Sequence, residues 1–328
     1  MLLLSKSDIK KIFSMEDAIG AVEGAFKLFS SGGSEVPLRT VINNEKANGN
    51  FLFMPAYADS LEASSIKIVN IFPDNASKGL PTAPATVVLI DGKTGIIESI
   101  IDGTYCTQLR TGAASGVAFK YLARKDSEYG ALIGVGSQAE CQLEAMIVAN
   151  NLKEVKVYSR RFEKTKAFVE KMQEELGSYK TLITPVETSD EAVENADVIT
   201  LVTSSTSPVF DASKVKNGAT ISAVGSYQYH MQEVDPEIFK RTSKIYFDST
   251  EAVLSESGDI LKPLEDGILK EKDFTGEIGQ VIMGNLVARE SEDEIILFKT
   301  VGIGTQDLAT AKAIYDKAQK LGVGTVWS

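Results

Sequence analysis

The chain predicts an α/β protein in which a doubly wound parallel sheet follows a smaller α+β unit. Three observations carry this. A short apolar run, Ala131-Leu132-Ile133, leads into Gly134-Val135-Gly136-Ser137-Gln138-Ala139 and then directly into an amphipathic, alanine-bearing segment. Beyond it, strand-like and helix-like stretches alternate as far as Val301. Before it, helical patterns come first and strand patterns after, with no alternation. Regular βα alternation argues for a parallel sheet, and grouped helices and strands for α+β.

Strand, tight glycine turn and helix together form the fingerprint of a dinucleotide-binding unit. Gly134 permits the sharp turn, and Gly136 has no side chain to obstruct a pyrophosphate at the backbone. Ala139 is small where the helix packs on the strand. Exposed N–H groups around Ser137 and Gln138 and the positive end of the helix dipole favour phosphate. These residues are the candidate pyrophosphate site.

Composition sets limits on the rest. A length of 328 residues leaves room for about two domains. With 43% apolar and 24% charged residues, a sizeable core is available. The net charge of −11 argues against nucleic-acid backbones and anionic membranes as partners. Cys106 and Cys141 stand in unrelated contexts and suggest neither a disulfide framework nor a metal site. The apolar run at residues 2–4 is short for a signal peptide, and its charge follows rather than precedes it. No apolar run approaches the roughly 18 residues of a membrane span. A cytoplasmic protein is expected.

Residues 5–30 predict two helices, the first capped by Ser7 or Asp8, the second starting at Ser14 with Asp17 in its first turn. Ala18, Val22, Ala25, Phe26 and Phe29 recur at helical spacing and form an inward face. After Ser31-Gly32-Gly33-Ser34, strands are expected at 38–43, 50–55, 65–71, 85–90 and 96–101, the last two joined as a hairpin at Asp91-Gly92-Lys93-Thr94-Gly95. Arg39, Lys67 and Arg110 lie in or at the edge of this unit. Cations at strand ends are ordinarily solvated, but Lys67 interrupts an apolar run, Ile66-Lys67-Ile68-Val69. Residues 107–125 turn helical, and small residues after Arg110-Thr111 let a backbone or ligand approach. The domain boundary is placed there, giving a first unit of 1–114 and a nucleotide unit of 115–304.

Within the nucleotide unit, strands are expected at 154–160, 180–185, 197–202, 219–224, 244–248 and 295–301, with helices at 163–176 and 190–195. The terminal helix, 306–321, turns Ala309, Ala313, Ile314 and Ala318 inward and is expected to return, with the rest of 305–328, to the first unit. NAD enzymes normally hold the ribose with an acidic residue at the end of the second strand. Here that strand ends in Ser159-Arg160-Arg161, with no carboxylate. Serine followed by arginine suits a 2′-phosphate, so NADP(H) is favoured and NAD(H) remains possible.

Six stretches then stand in a telling order: Met54 to Tyr57, Lys67 to Asn70, Leu80 to Thr86, Leu109 to Ala114, Gly134 to Ala139 and Gly302 to Asp307. Through them the whole chain resembles the ornithine cyclodeaminase/μ-crystallin family of dinucleotide-dependent enzymes. The resemblance implies a homodimer, a substrate-binding and dimerisation domain completed by the C-terminal helix, and a Rossmann domain between those two parts of the sequence. It implies that Arg39, Lys67 and Arg110 hold the α-carboxylate of an amino or imino acid, with Met54 and Thr82 lining the same pocket. Guanidinium groups grip a carboxylate bidentately, and a lysine adds a point charge. Thr111 is then expected near the phosphates, Thr203-Ser204-Ser205 beside the ribose, and Val224-Gly225 and Val301-Gly302 beside the nicotinamide.

The sequence also departs from the family pattern. Cyclodeaminases and related alanine dehydrogenases carry an aspartate two residues after the glycine that follows the fifth strand; here that position is Tyr227. Cyclodeaminases also use a glutamate two residues before the methionine; here it is Leu52. Those carboxylates suit deprotonation of an ornithine amine, and hydride transfer does without them. The leading expectation is an NAD(P)H-dependent reductase of α-imino acids, acting on a cyclic ketimine carboxylate or on a keto acid plus amine. Water, Lys67 or Tyr227 supplies the proton. Ornithine cyclodeaminase and a μ-crystallin-like NADPH-dependent ligand-binding protein are the alternatives. His230, the only histidine, is read as a loop residue.

Overall fold

The computed structural model describes residues 1–328, which fall into two compact units: Met1–Arg110 with Ile303–Ser328, and Thr111–Gly302. The division between Arg110 and Thr111 falls inside a helix. No helix is long and apolar enough to cross a membrane.

In the first unit β1 (Leu2–Leu4) precedes α1 (Lys6–Ile12) and α2 (Met15–Ser30). The α1 cap is Ser5, neither Ser7 nor Asp8. Ser5 Oγ accepts the Asp8 N–H at 3.2 Å while Asp8 returns a carboxylate to the Ser5 N–H at 3.1 Å. Ser14 and Asp17 repeat this capping box at α2. Ala18, Val22, Ala25 and Phe26 are buried as the spacing requires, and Phe29 is half-buried at the helix end.

The strands β2 (Thr40–Asn44), β3 (Gly49–Ala58), β4 (Ala63–Ile71), β5 (Ala85–Asp91) and β6 (Ile97–Asp102) form an antiparallel meander. β1, too short to read as a strand in sequence, adds to β6 in parallel. The chain then enters α3 (Gly103–Leu122), which passes into the second unit.

The second unit continues with β7 (Tyr129–Ile133), α4 (Ala139–Ala149), β8 (Glu154–Tyr158), α5 (Phe162–Glu175), β9 (Leu182–Pro185), α6 (Ser189–Val193), β10 (Val198–Leu201) and β11 (Thr220–Ala223). It ends with β12 (Thr242–Phe247), α7 (Thr250–Glu256), α8 (Gly258–Glu265), β13 (Gly276–Glu277), α9 (Ile278–Ile282) and β14 (Ile295–Lys299). All pairings are parallel, in the order β13-β12-β14-β11-β10-β7-β8-β9. Its central strands are buried along their whole length, as a sheet covered on both faces demands. Chain order reverses between β7 and β10, the switch point at which doubly wound sheets bind ligands beyond the carboxyl ends of their strands.

Finally α10 (Gly304–Leu321) and β15 (Thr325–Val326) belong to the first unit, where β15 pairs with β1. Leu308 and Tyr315 of α10 pack with Ala56, Ala58, Ala63 and Leu89 of the meander into one apolar cluster. Ala309, Ile314 and Ala318 are buried and Ala313 is half-buried. This helix covers the face of β3, β4 and β5 whose alternate residues point inward.

Candidate active site

That covered face carries a charge. Lys67 stands on β4 at an inward position, directly opposite Met54 on β3 and Val87 on β5, and is 1% exposed. An isolated ammonium in such a place is expensive, so a partner is required. It is Asp307 in the first turn of α10, whose Oδ2 lies 2.6 Å from Lys67 Nζ. Asp307 Oδ1 accepts from Arg110 Nε at 3.0 Å. Gln306 Oε1 accepts from Arg110 Nη1 at 3.0 Å and from the Ile303 N–H at 3.3 Å, which fixes the start of the helix.

Two buried cations therefore share one carboxylate, leaving an excess of positive charge. Burial first, then the field of Arg110 and to a lesser degree of Arg39, lowers Lys67 to about 8, with Asp307 opposing. Burial works against the Asp307 charge, yet Lys67 and Arg110 together hold its carboxyl below the usual range. Cys106 lies in the same surroundings, where burial and the Asp307 charge push its thiol up to about 12 and leave it inert as a nucleophile. The structure thus brings together Lys67, Arg110 and Met54, with Arg39 close enough to act on Lys67. Thr82 lies instead on an exposed run, where its carbonyl accepts the Phe72 N–H at 2.8 Å. Position 52 is a leucine, and it is buried.

In the second unit the turn after β7 is built as the glycines predict. Gly134 has φ +112°, and a Cβ there would lie 2.6 Å from the Val202 carbonyl. Around Gly136 a Cβ would meet nothing within 4 Å, so the backbone faces open space. Ser137 is exposed, Ala139 is buried, and the buried Gln138 Oε1 at the start of α4 has no protein partner. The open backbone cradle at a helix start fits a dinucleotide pyrophosphate. Close packing of α3 on α4 supports this end. A Cβ at Gly112 would lie 2.4 Å from the Cys141 carbonyl, and Gln142 Nε2 donates to the Thr111 carbonyl at 2.9 Å.

At the end of β8 the Ser159 hydroxyl is engaged locally, 2.8 Å from the Thr165 hydroxyl, while Arg160 is exposed. Thr203 and Ser205 follow β10, with the Ser205 N–H donating to Thr203 Oγ1 at 3.2 Å and Ser204 exposed. Val224 and Gly225 follow β11. Val301 and Gly302 follow β14, where the buried Asp248 accepts both their N–H groups, at 3.1 and 2.7 Å, and the Thr300 hydroxyl at 2.6 Å. Tyr227 is half-buried and His230 exposed, both in the loop leaving β11. Asp307, Gln306 and Asp248 carry much of this geometry, although sequence reading assigned them no role. Asp307 is an acid in the first turn of a helix, an ordinary place for a carboxylate, so its role emerges only with its partners.

The family profile described as Ornithine cyclodeaminase/mu-crystallin family matches residues 1–322. A Delta(1)-pyrroline-2-carboxylate reductase from Bacillus cereus is 36% identical over 324 residues, covering 99% of this chain and 98% of that protein. The solved Delta(1)-pyrroline-2-carboxylate reductase of Thermococcus litoralis, in complex with NADH and L-proline, is 41% identical and superposes with a TM-score of 0.95 over 100% of both chains. An archaeal alanine dehydrogenase dimer with bound NAD is 36% identical, with a TM-score of 0.91 over 100% of this chain and 99% of that one. The chain belongs to the ornithine cyclodeaminase/mu-crystallin family.

Proposed function

We propose that the protein is an NAD(P)H-dependent reductase of α-imino acids, with a cyclic ketimine carboxylate of the pyrroline-2-carboxylate kind as its substrate. The observation that carries this is the pair of buried cations, Lys67 and Arg110, sharing the single carboxylate of Asp307. Their surplus positive charge suits an anionic carboxylate, which Arg110 grips and Lys67 neutralises. Met54 and Arg39 border the same site. A reduced nicotinamide, when bound, would supply the hydride for the imine carbon. Lys67 Nζ, an ammonium when the substrate carboxylate is bound, gives a proton to the imine nitrogen as hydride adds to the carbon, and is left as the neutral amine. Tyr227 serves as a hydrogen-bonding wall in this scheme.

The residues of the glycine turn, Thr111 and the loops after β10, β11 and β14 hold the dinucleotide. Arg160 at the end of β8, with no carboxylate beside it, favours NADP(H). The NADH and NAD carried by the solved relatives favour NAD(H) as a second cofactor. Ornithine cyclisation is disfavoured, because Leu52 and Tyr227 stand where carboxylates would deprotonate the amine. The first unit also serves as the dimerisation domain. β2 ends its sheet, with Val41 48% and Ile42 54% exposed, a strand edge that a second copy would cover.

The test is oxidation of NADPH and NADH, followed at the reduced nicotinamide band, with pyrroline-2-carboxylate, piperideine-2-carboxylate and pyruvate plus ammonia. Turnover is expected with the cyclic imino acids. No turnover with either, or release of ammonia from ornithine without added reductant, would sink the assignment. Light scattering on wild type and on Ile42→Glu tests the dimer, which the variant should weaken.

A further inference from the structure

The loops that follow β10 and β11 are tied to one buried carboxylate. Glu233 is fully buried. Its Oε2 accepts the Thr203 N–H at 2.8 Å and the Thr203 hydroxyl at 3.0 Å, while its Oε1 accepts the Gly225 N–H at 2.5 Å. The backbone around it is stitched to the same loop, with the Gln232 N–H donating to the Ser205 carbonyl at 2.8 Å. From the other side, Asp259 Oδ1 on α8 accepts the N–H groups of Glu233 and Val234 at 2.8 and 3.0 Å. Asp259 Oδ2 in turn accepts from Lys299 Nζ on β14 at 3.0 Å. The contact admits only glycine at 225, where a Cβ would lie 1.9 Å from the Thr203 carbonyl and 2.5 Å from Glu233 Oε2.

Two carboxylates and one ammonium leave this buried group with a net negative charge. Burying that charge is costly, and an apolar cluster would brace a sheet as well. What the charge provides is acceptor capacity: an ionised carboxylate accepts all three donors, whereas a protonated one must turn an O–H towards an N–H. The loops it joins lie at the carboxyl ends of the strands beside the switch point.

We propose that Glu233 is a positioning residue for the dinucleotide: its ionised carboxylate holds the Thr203 and Gly225 loops in the binding arrangement, and protonation releases them. This rests on the reading of those loops as cofactor-lining. The charged groups that face Glu233 are Asp259 from α8 and Lys299 from β14. Burial and then the Asp259 charge raise its pKa to about 7, against Lys299 and the N–H donors. The dinucleotide binds the ionised form, so affinity is full above that pKa and is lost as pH falls through it.

The experiment is a fluorescence titration with NADH, whose phosphates do not titrate in this range, at pH 8, 7 and 6. Wild-type affinity should fall about tenfold from pH 8 to pH 6, following the ionised fraction of a group near 7. Glu233→Gln places an amide donor against the N–H groups; it should bind more weakly at pH 8 and show no fall on acidification. Thr203→Val removes only the hydroxyl donor and should move the acid limb to higher pH, which serves if the glutamine variant does not fold. A pH-independent wild type, a Glu233→Gln variant that keeps the wild-type fall, or an unmoved limb in Thr203→Val overturns the proposal. NADH binding of the expected form without imino-acid reduction leaves it standing and removes the reductase reading. A folded chain that binds no NADH at pH 8 removes both.

Discussion

Asp307 Oδ2 and Lys67 Nζ are 2.6 Å apart in a fully buried contact that spans 240 residues of sequence. Strand β4 contributes the cation and helix α10 the anion, so the terminal helix is both part of the first unit's core and the electrostatic partner of its candidate anion site. Arg110 completes the arrangement from α3.

Removing that carboxylate is the most direct test. In Asp307→Asn, Lys67 and Arg110 lose their counterion while shape is kept. Leaving a buried charge uncompensated costs about 3–5 kcal/mol, so the melting temperature should drop sharply. Where the variant still folds, kcat/KM for a cyclic imino acid should fall about a hundredfold, since about 2.7 kcal/mol corresponds to that factor. An unchanged melting curve together with unchanged kcat/KM would show that Asp307 is a bystander.

The pH dependence of anion binding follows from Lys67. In the free protein its pKa is lowered to about 8, from burial first and Arg110 second. A carboxylate ligand binds the ammonium form and raises that pKa. Affinity is therefore fully present below about 8 and declines above it, about tenfold per pH unit until the ligand-bound pKa is reached. Pyrrole-2-carboxylate is a suitable probe, because it carries no other group that titrates between pH 7 and 9.5. An inhibition constant that stays flat across that interval would contradict the assignment, and Lys67→Met should flatten it.

Much of this was legible in the sequence, for a physical reason. The glycine turn, the parallel strands and the capping box at Ser14 are local patterns set by periodicity and backbone geometry. Lys67 stood out because a charge in an apolar run is locally anomalous. Asp307 and Glu233 did not, because an acid in the first turn of a helix or in a loop is ordinary until its distant partners are known. Their roles come from tertiary contacts with β4, α3 and the strand ends. Ser5 lost the cap assignment to Ser7 and Asp8 for a smaller reason: the helix begins slightly earlier than its apolar spacing suggests.

Cofactor choice is testable at Arg160. The residue is exposed at the end of β8, with no carboxylate at the adjacent Ser159. If it meets a 2′-phosphate, Arg160→Glu should raise the dissociation constant for NADPH at least about tenfold, the loss of a charge-assisted hydrogen bond, and leave NADH within about twofold. Equal effects on both, measured by titration at fixed ionic strength, would show that Arg160 does not discriminate between them.

Two glycines in the second unit should fail in opposite ways. At Gly112 a Cβ would meet the Cys141 carbonyl at 2.4 Å, backbone that cannot rotate aside, so Gly112→Ala must push α3 from α4. Overpacking of this kind costs about 1–3 kcal/mol, and the melting temperature should fall even without cofactor. At Gly136 a Cβ meets nothing within 4 Å, and the backbone there does not require glycine. Gly136→Ala should therefore leave the melting temperature of the cofactor-free protein unchanged, or raise it slightly by reducing the entropy of the unfolded chain. Its methyl group would instead obstruct a pyrophosphate approaching the turn, and NADH affinity should fall about tenfold or more, a loss of about 1.4 kcal/mol. Thermal unfolding and NADH titration of both variants separate the two effects. Unimpaired NADH binding by Gly136→Ala would mean that the open space at this turn is not where the phosphates lie.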